Sequence, residues 1–401
     1  MKNIPYMRVA TSYYKRVMAP TIAGDKVEIL VPWNIDTIKQ DEGRDYLSQI
    51  PKYDGFTCVP NHTNYQEVYE NFINTYYRLS HTPAKGSLDT TITFLNHIFG
   101  EQIELGLDYL QILYLKPLQI LPILCLVSRE RSTGKSTFLK WLRLVFEGNM
   151  TYLTNDNFSS QFNADWTNRL LICIDEVLFN KEELTERIKY LSTTNINKME
   201  AKGRDKIEVE FFGKFILCSN NEENFIRIDD DEIRFWIRKV TKFESEDTEI
   251  LTKLFLEIPA FLHFLQQRPL YVSKPLSRMW FSFDQIRTKA LERLFLQKRS
   301  KIETPIIEAL YDLFQEIDDS EIRICPKDIE ELFAREKRKI SKTDIMRTLK
   351  NWWALKPEDN TKSYKTYYLT SGEYYPADRR GRYYTINRNF ISEKFDALMQ
   401  E

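Results

Sequence analysis

Ile123-Leu124-Cys125-Leu126-Val127, followed after a short polar loop by Thr133-Gly134-Lys135-Ser136-Thr137, is the stretch that decides the fold. An unbroken apolar run, bounded by Pro122, reads as a strand covered on both faces, the pattern of a parallel α/β sheet. Thr137 to Phe146 reads as a helix, so the glycine and lysine sit where a strand passes into a helix. Backbone N–H groups converge at such a helix start and its dipole favours anions, which suits phosphate. Lys135 would reach the β- and γ-phosphates, and the Ser136 hydroxyl would ligate Mg²⁺. The full pattern asks for glycine where Arg129 stands, and Ser132 fills a position where related loops carry glycine. The loop is a degenerate Walker A motif. Taken alone, such a tetrapeptide can simply open a helix.

Two further apolar runs supply context. Leu170-Leu171-Ile172-Cys173-Ile174 ends in Asp175-Glu176, which suits a Walker B motif: Asp175 holds the Mg²⁺ hydration shell and Glu176 polarises the attacking water. Phe215-Ile216-Leu217-Cys218 ends in Ser219-Asn220-Asn221, where the Asn220 amide can orient water and sense the γ-phosphate. A solvated acidic loop and an ordinary turn asparagine are the bland alternatives. Three polar strand ends in this order place phosphate, metal and water groups along one sheet edge, where open α/β sheets bind ligands.

Beyond them, Ile228 to Arg238 carries an acidic run and two arginines. Arg234 or Arg238, the latter slightly favoured, could reach a neighbouring subunit's γ-phosphate, or instead pair with the acids beside it. Lys198 to Lys206, centred on Gly203 and flanked by Val209 and Phe211-Phe212, reads as an exposed β-hairpin. Lys202, Arg204 and Lys206 would then offer charge to nucleic-acid phosphates, unless the hairpin is merely solvated.

Composition narrows the class. With 57 Lys+Arg against 58 Asp+Glu, the 401-residue chain is no polycation, so any nucleic-acid contact must come from a local patch. The five cysteines are scattered, none in a Cys-x-x-Cys pair, which fits a reducing compartment. Residues 1–20 hold no signal-peptide core, and no run of about 18 apolar residues exists to cross a membrane. The expectation is a cytoplasmic α/β protein with no membrane partner.

Five segments are expected: an N-terminal accessory region of unknown role (1–85), a helical collar (86–119), the ATPase core (120–248), a helical segment (249–300) and a winged-helix-like domain (301–401). Helical spacing runs from Ser87 to Lys116, and again after Thr248 to about Lys298. The last domain shows helix patterns at Pro305–Ile317, Pro326–Arg335 and Ser341–Trp352, then a β-hairpin from Lys365–Thr370 and Arg382–Ile386. Its basic clusters are Arg335, Lys337, Arg338, Lys339 and Lys342, then Arg379, Arg380 and Arg382, with Tyr383 and Tyr384 available for stacking on bases. A solvated helix face and surface loop is the alternative. Cys58, His62 and His81 hint at zinc but lack a fourth ligand, and read as structural.

With these pieces in this order the chain resembles the phage- and plasmid-type primase-helicases, members of helicase superfamily 3 within the AAA+ ATPases. The resemblance runs from about Tyr65 to Phe243. It includes Ile98-Phe99-Gly100, Leu107-Asp108-Tyr109-Leu110, Pro117-Leu118-Gln119, Phe162-Asn163 and Lys202-Gly203, with Phe235-Trp236 to Arg238 and Phe243 as the finger region and last strand. It implies a P-loop core with a parallel sheet, and a homo-oligomeric ring, usually hexameric. Such a ring hydrolyses ATP with Mg²⁺ between subunits and moves along single-stranded DNA. Carried over, Lys135 and Ser136 match Walker A, Asp175 and Glu176 Walker B, Asn220 the sensor, Lys202 the pore hairpin and Arg238 the finger. About 85 residues before the collar are too few for the primase domain of larger members, and they hold no Asp-x-Asp metal pair. The chain is therefore expected to make no primers alone, and a separate primase is an expected partner.

Three function classes stay open: an ATP-driven DNA helicase or translocase, an AAA+ ATPase acting on protein or as a switch, and a DNA-binding initiator or scaffold with a weakened nucleotide site. A GTPase is excluded, because Asn197-Lys198-Met199-Glu200 ends in Glu where guanine recognition needs Asp.

Overall fold

Five parallel strands carry the site: β1 (Ile123–Val127), β2 (Met150–Leu153), β3 (Leu171–Ile174), β4 (Lys214–Ser219) and β5 (Phe235–Lys239). They lie in the order β5-β1-β4-β3-β2. Every residue of β1, β3 and β4 is buried. That is the physical content of their unbroken apolar sequences, since helices cover both faces of a parallel sheet. Ser219 pairs with Val127, and Leu217 with Ile174. This register sets the ends of β1, β4 and β3 side by side at one edge. The chain order of these strands differs from their order in space, and a ligand crevice opens where such connections diverge.

This arrangement belongs to a computed structural model that describes residues 4–20, 26–179, 182–200, 202, 203, 205–226, 228, 232–333, 340–370 and 372–399. The chain divides into two units, Met1–Leu291 and Glu292–Glu401. In the first, helices α1 (Asp89–Phe99), α2 (Ile103–Leu115), α3 (Lys135–Phe146), α4 (Glu182–Leu191), α5 (Ile250–Leu256) and α6 (Ile258–Gln267) surround the sheet. Leu95, Ile98, Phe99, Leu110 and Leu113 of the collar share one apolar core with Trp141, Phe138 and Trp236. The helical pattern from Ser87 to Lys116 is two helices, broken at Gly100, whose φ of 49° lies in the left-handed region glycine favours.

After α6 the chain departs from expectation. Instead of continuing as helix it runs irregularly from 268 to 282, with Pro269 and Pro275 removing donors a helix would need. Ahead of the collar, Tyr6–Val9, Ser12–Pro20, Lys26–Trp33 and Lys52–Tyr53 form a four-stranded sheet.

The second unit contains α7 (Lys289–Glu316, whose first residues precede the division), α8 (Pro326–Phe333), α9 (Lys342–Arg347, running into a π turn at Thr348–Trp352) and α10 (Arg388–Leu398). Its strands are β6 (Glu321–Ile324), β7 (Lys362–Thr370), β8 (Glu373–Gly381) and β9 (Tyr384–Asn387). The hairpin is not the expected one. β7 pairs with β8 over nine residues, while β9 returns to pair with β6. The charged, Pro-containing run Glu373–Gly381 escapes a reading based on apolar alternation because it is a largely solvated edge. Tyr383 and Tyr384 are 7% and 4% exposed, so neither is free to stack on a base; β9 carries Tyr384 into the unit's core.

His62 stacks on Tyr114 and bonds the Tyr114 carbonyl at 2.8 Å and the Tyr76 hydroxyl at 2.6 Å. Burial lowers its pKa to about 4. His81 meets the Leu144 carbonyl at 2.9 Å, and Cys58 Sγ lies 3.8 Å from the Asn168 carbonyl. Each of the three is used by a different backbone partner. Among the described residues no group of His, Cys, Asp and Glu forms a metal cluster, and no helix is long and apolar enough to cross a membrane.

Lys214 opens β4 at the sheet end away from the site. Its ammonium donates to the Pro117 and Phe212 carbonyls, and burial lowers its pKa from the ordinary 10.5 to about 7. Between those values the unfolded chain binds the proton and the folded one does not, so stability gains with rising pH. Below about pH 7 both states are protonated and the slope vanishes. Lys214→Met should flatten the rise in stability between about pH 7 and 10, measured from denaturation midpoints across that range.

Candidate nucleotide site and hairpin

The loop from β1 to α3 turns into the helix with serine at 132 and glycine at 134. Ser132 adopts φ 55° and Gly134 φ 86°. A serine can take the left-handed turn at a modest cost, so the missing glycine at 132 does not alter the turn. Gly134 is required twice over: a Cβ there would also lie 2.7 Å from the Phe243 ring. Phe243 stacks on His97 at 3.9 Å, its N–H donates to the Ser132 carbonyl at 3.3 Å, and a His97 ring nitrogen lies 3.1 Å from the Thr133 carbonyl. The collar and the segment after β5 thus hold the loop from outside. Sequence reading assigned Phe243 to the last-strand region and gave His97 no role; its partners are distant in the chain.

Lys135 is 6% exposed and rests its ammonium on the Thr133 hydroxyl at 3.1 Å. Burial lowers its pKa, against the raising influence of Cys218, Asp175 and Glu222. Ser136 donates its hydroxyl to Asp175 Oδ2 at 2.9 Å. Two residues from separate strand ends therefore meet as a hydroxyl and a carboxylate, both oxygen donors of the kind Mg²⁺ takes. Thr137 follows, half-buried in the first turn of α3.

Glu176 is exposed beside them with φ 59°. This strained turn is braced by Asn155, whose amide donates to the Glu176 carbonyl at 3.2 Å and accepts from the Leu178 N–H at 3.3 Å. Asn155 was missed in the sequence; it lies two residues past β2, a strand too mixed in character to be recognised. Asn220 is exposed at the end of β4. Asn221 instead accepts the N–H groups of Glu223 and Asn224 at 2.9 and 2.8 Å, closing a turn. That division leaves Asn220 as the strand-end amide facing solvent.

Glu222, also unforeseen, ties the loop after β4 to its neighbours. It accepts the Arg129 N–H at 2.9 Å and the Lys239 ammonium at 3.0 Å. Burial pushes its pKa up, but Lys239 and the Arg129 N–H outweigh it and the carboxyl lies below its usual range.

Arg234 and Arg238 are both engaged in their own chain. Arg238 has a side chain 7% exposed and is bonded through Nη1 to Glu101 at 2.6 Å and Gln102 at 3.0 Å. Gln102 also accepts the Trp236 indole N–H at 2.7 Å. Within the single chain, Arg238 braces β5 against the turn between α1 and α2. Arg234 pairs with Glu232 at 2.7 Å and keeps 28% of its side chain exposed.

The hairpin forms as expected. Ile196–Met199 pairs antiparallel with Ile207–Glu210. Lys202 is exposed at its turn, and Gly203 takes φ 74°. Lys206 pairs with Glu200 at 2.7 Å, while Arg204 lies outside the described residues. The base is clamped by buried Asn163, which accepts the Glu200 N–H at 2.7 Å and donates to the Lys198 carbonyl at 2.8 Å.

In the second unit Arg379 is held by Asp328 at 2.5 Å and Glu331 at 2.6 Å, and Arg382 donates to the Glu358 carbonyl at 3.0 Å. Arg380 is exposed on β8. Of the earlier basic cluster, Arg335, Lys337, Arg338 and Lys339 lie outside the described residues.

Residues 126–238 match the model of a family of unknown function, DUF5906. That stretch begins in β1 and ends in β5, so it contains Lys135, Ser136, Asp175, Glu176 and Asn220. No curated protein matches the chain. Among solved structures, the apo structure of the NrS-1 C-terminal region aligns with a TM-score of 0.61 at 15% identity, covering 95% of each chain. Its A form aligns at 0.58 and 15%, covering 96% of each. A JCV helicase with a bound acetamide compound reaches 0.30 at 11% identity, over 55% of this chain and 62% of that one. The chain therefore shares the fold of the NrS-1 C-terminal region along nearly its whole length.

Proposed function

We propose that the chain is an ATP-dependent DNA helicase or translocase serving the replication of a phage, plasmid or other mobile element, and that it works as a ring on single-stranded DNA. The observation that carries this reading is the bond from Ser136 to Asp175, with Lys135 buried beside it and Asn220 on the strand between. Three strand ends that are far apart in sequence converge on one spot, with the residue types that triphosphate hydrolysis needs.

In this reading the N–H groups of the β1–α3 loop and the Lys135 ammonium bind the phosphates. Lys135 leaves Thr133 to do so, and its low exposure strengthens the attraction because little water screens it. Ser136 and Asp175 would hold Mg²⁺, which when bound draws charge from the β- and γ-phosphate oxygens. Glu176 accepts the proton of the attacking water, and Asn220 orients that water. Where subunits meet, Arg234 is our choice for the arginine that reaches across, since it needs only to part from Glu232. Lys202 at the hairpin turn offers charge to DNA phosphates, and a separate primase would supply primers.

Turnover of ATP by the purified protein should rise on adding single-stranded DNA. Lys202→Ala should lose that rise, and Lys135→Ala should lower turnover at least about a hundred-fold. ATP turnover indifferent to single-stranded DNA would favour an ATPase acting on protein, and Lys135→Ala without effect would favour a scaffold whose nucleotide site is idle.

A further inference from the structure

The phosphate loop reads Arg129-Glu130-Arg131-Ser132-Thr133-Gly134, two arginines where glycine-rich loops have none. Their situations differ. Arg129 forms an ion pair with Glu223 of the sensor loop, so its charge is already neutralised. Arg131 is exposed and has no hydrogen-bond or ion-pair partner among the described residues.

The arc that carries both lies over the ends of β1 and β4. Ser128 N–H donates to the Ser219 carbonyl at 3.2 Å, and the Arg129 N–H to Glu222 at 2.9 Å. Asn220 stands between those two contacts in the chain. The arc therefore borders the place where the sensor amide meets the far end of a bound triphosphate, rather than the helix start that holds the inner phosphates.

We propose that Arg131 is a phosphate-binding arginine supplied in cis, which contacts the terminal phosphate of the bound nucleotide and makes the site prefer a triphosphate to a diphosphate. This rests on the nucleotide-site reading above and deepens it. An unpaired guanidinium at the rim has no resting partner to leave, and it offers two parallel N–H donors to a phosphate. Arg129 would first have to leave Glu223. Arg238 and Arg234 are bound within their own chain, so of these four arginines Arg131 is the one that can respond without breaking a contact.

The test is equilibrium titration of the whole protein with a fluorescent ATP analogue that resists hydrolysis and with the matching ADP analogue. Arg131→Ala should weaken the triphosphate about ten-fold relative to the diphosphate. Arg131→Lys should recover part of the difference, and Arg129→Ala should shift the ratio less than Arg131→Ala. An unchanged ratio in Arg131→Ala overturns the assignment. So does an equal fall in Arg129→Ala, because the effect would then be the general charge of the loop. Lys135→Ala separates this from the underlying reading. Loss of both analogues in that variant keeps the nucleotide site whatever Arg131 does, whereas wild-type protein that binds neither removes the site itself.

Discussion

Glu176→Gln should bind nucleotide as the wild type does and hydrolyse it about 10²–10⁴-fold more slowly, the range that general-base catalysis contributes. The residues that would grip phosphate and metal are Lys135, Ser136, Asp175 and the loop N–H groups, and none bonds the Glu176 side chain in this structure. Glutamine keeps the size and can still hydrogen-bond water, but it cannot take a proton at neutral pH. Single-turnover hydrolysis beside equilibrium binding separates the two effects. A variant that retains its rate would move the base to another residue. The structure adds a graded companion. Asn155 holds both sides of the strained Glu176 turn, so Asn155→Ala should slow hydrolysis by less than Glu176→Gln, with binding again intact.

The two variants also mark how far the sequence could be read. Asp175 and Glu176 announce themselves because the strand before them is wholly apolar, and a carboxylate pair after a buried strand stands at a sheet edge by geometry. Asn220 is found the same way at the end of β4. Asn155 gives no such signal: β2 is Met-Thr-Tyr-Leu, with Tyr152 exposed, and a short mixed strand has no diagnostic period. The intrachain contact of Arg238 escapes the sequence for a different reason. Its nearest acids in the chain suggested a local pair or a distant subunit, whereas its partner Glu101 lies 137 residues away, a distance across which no local pattern carries information. The second unit shows the same limit. Its core strands and helices follow apolar spacing, but β8 is a solvated edge that reads as a connection, so the spacing pairs Lys365–Thr370 with Arg382–Ile386 instead. Where burial writes the pattern the reading succeeds, and where a polar contact is made across the chain it does not.

Asp108 makes such a contact, and it sets the second large effect. It is fully buried in α2, accepting Arg268 at 2.5 Å and the N–H groups of Tyr271 and Val272 at 2.9 and 2.7 Å. Arg268, with a side chain 8% exposed, caps the stretch that leaves α6. Asp108→Ala would strand the buried Val272 N–H and the part-buried Tyr271 N–H, and take from Arg268 its one fully buried counter-charge; Glu104, half exposed, and Gln111 would remain. Removing one partner of a buried pair costs about 3–5 kcal/mol. Hydrogen exchange should report this as about 10²–10⁴-fold faster exchange of α2 amides at the same pH and temperature. Asp108→Asn, which keeps the shape and one acceptor, should fall between. The consequence reaches the site through the collar, because the turn just before α2 supplies the Glu101 and Gln102 that hold Arg238 and Trp236 on β5, the strand beside β1. Nucleotide binding by Asp108→Ala should therefore survive at low temperature and be lost on warming before that of the wild type. If α2 exchanges at the wild-type rate in this variant, the buried carboxylate is not what fixes the collar to the sheet.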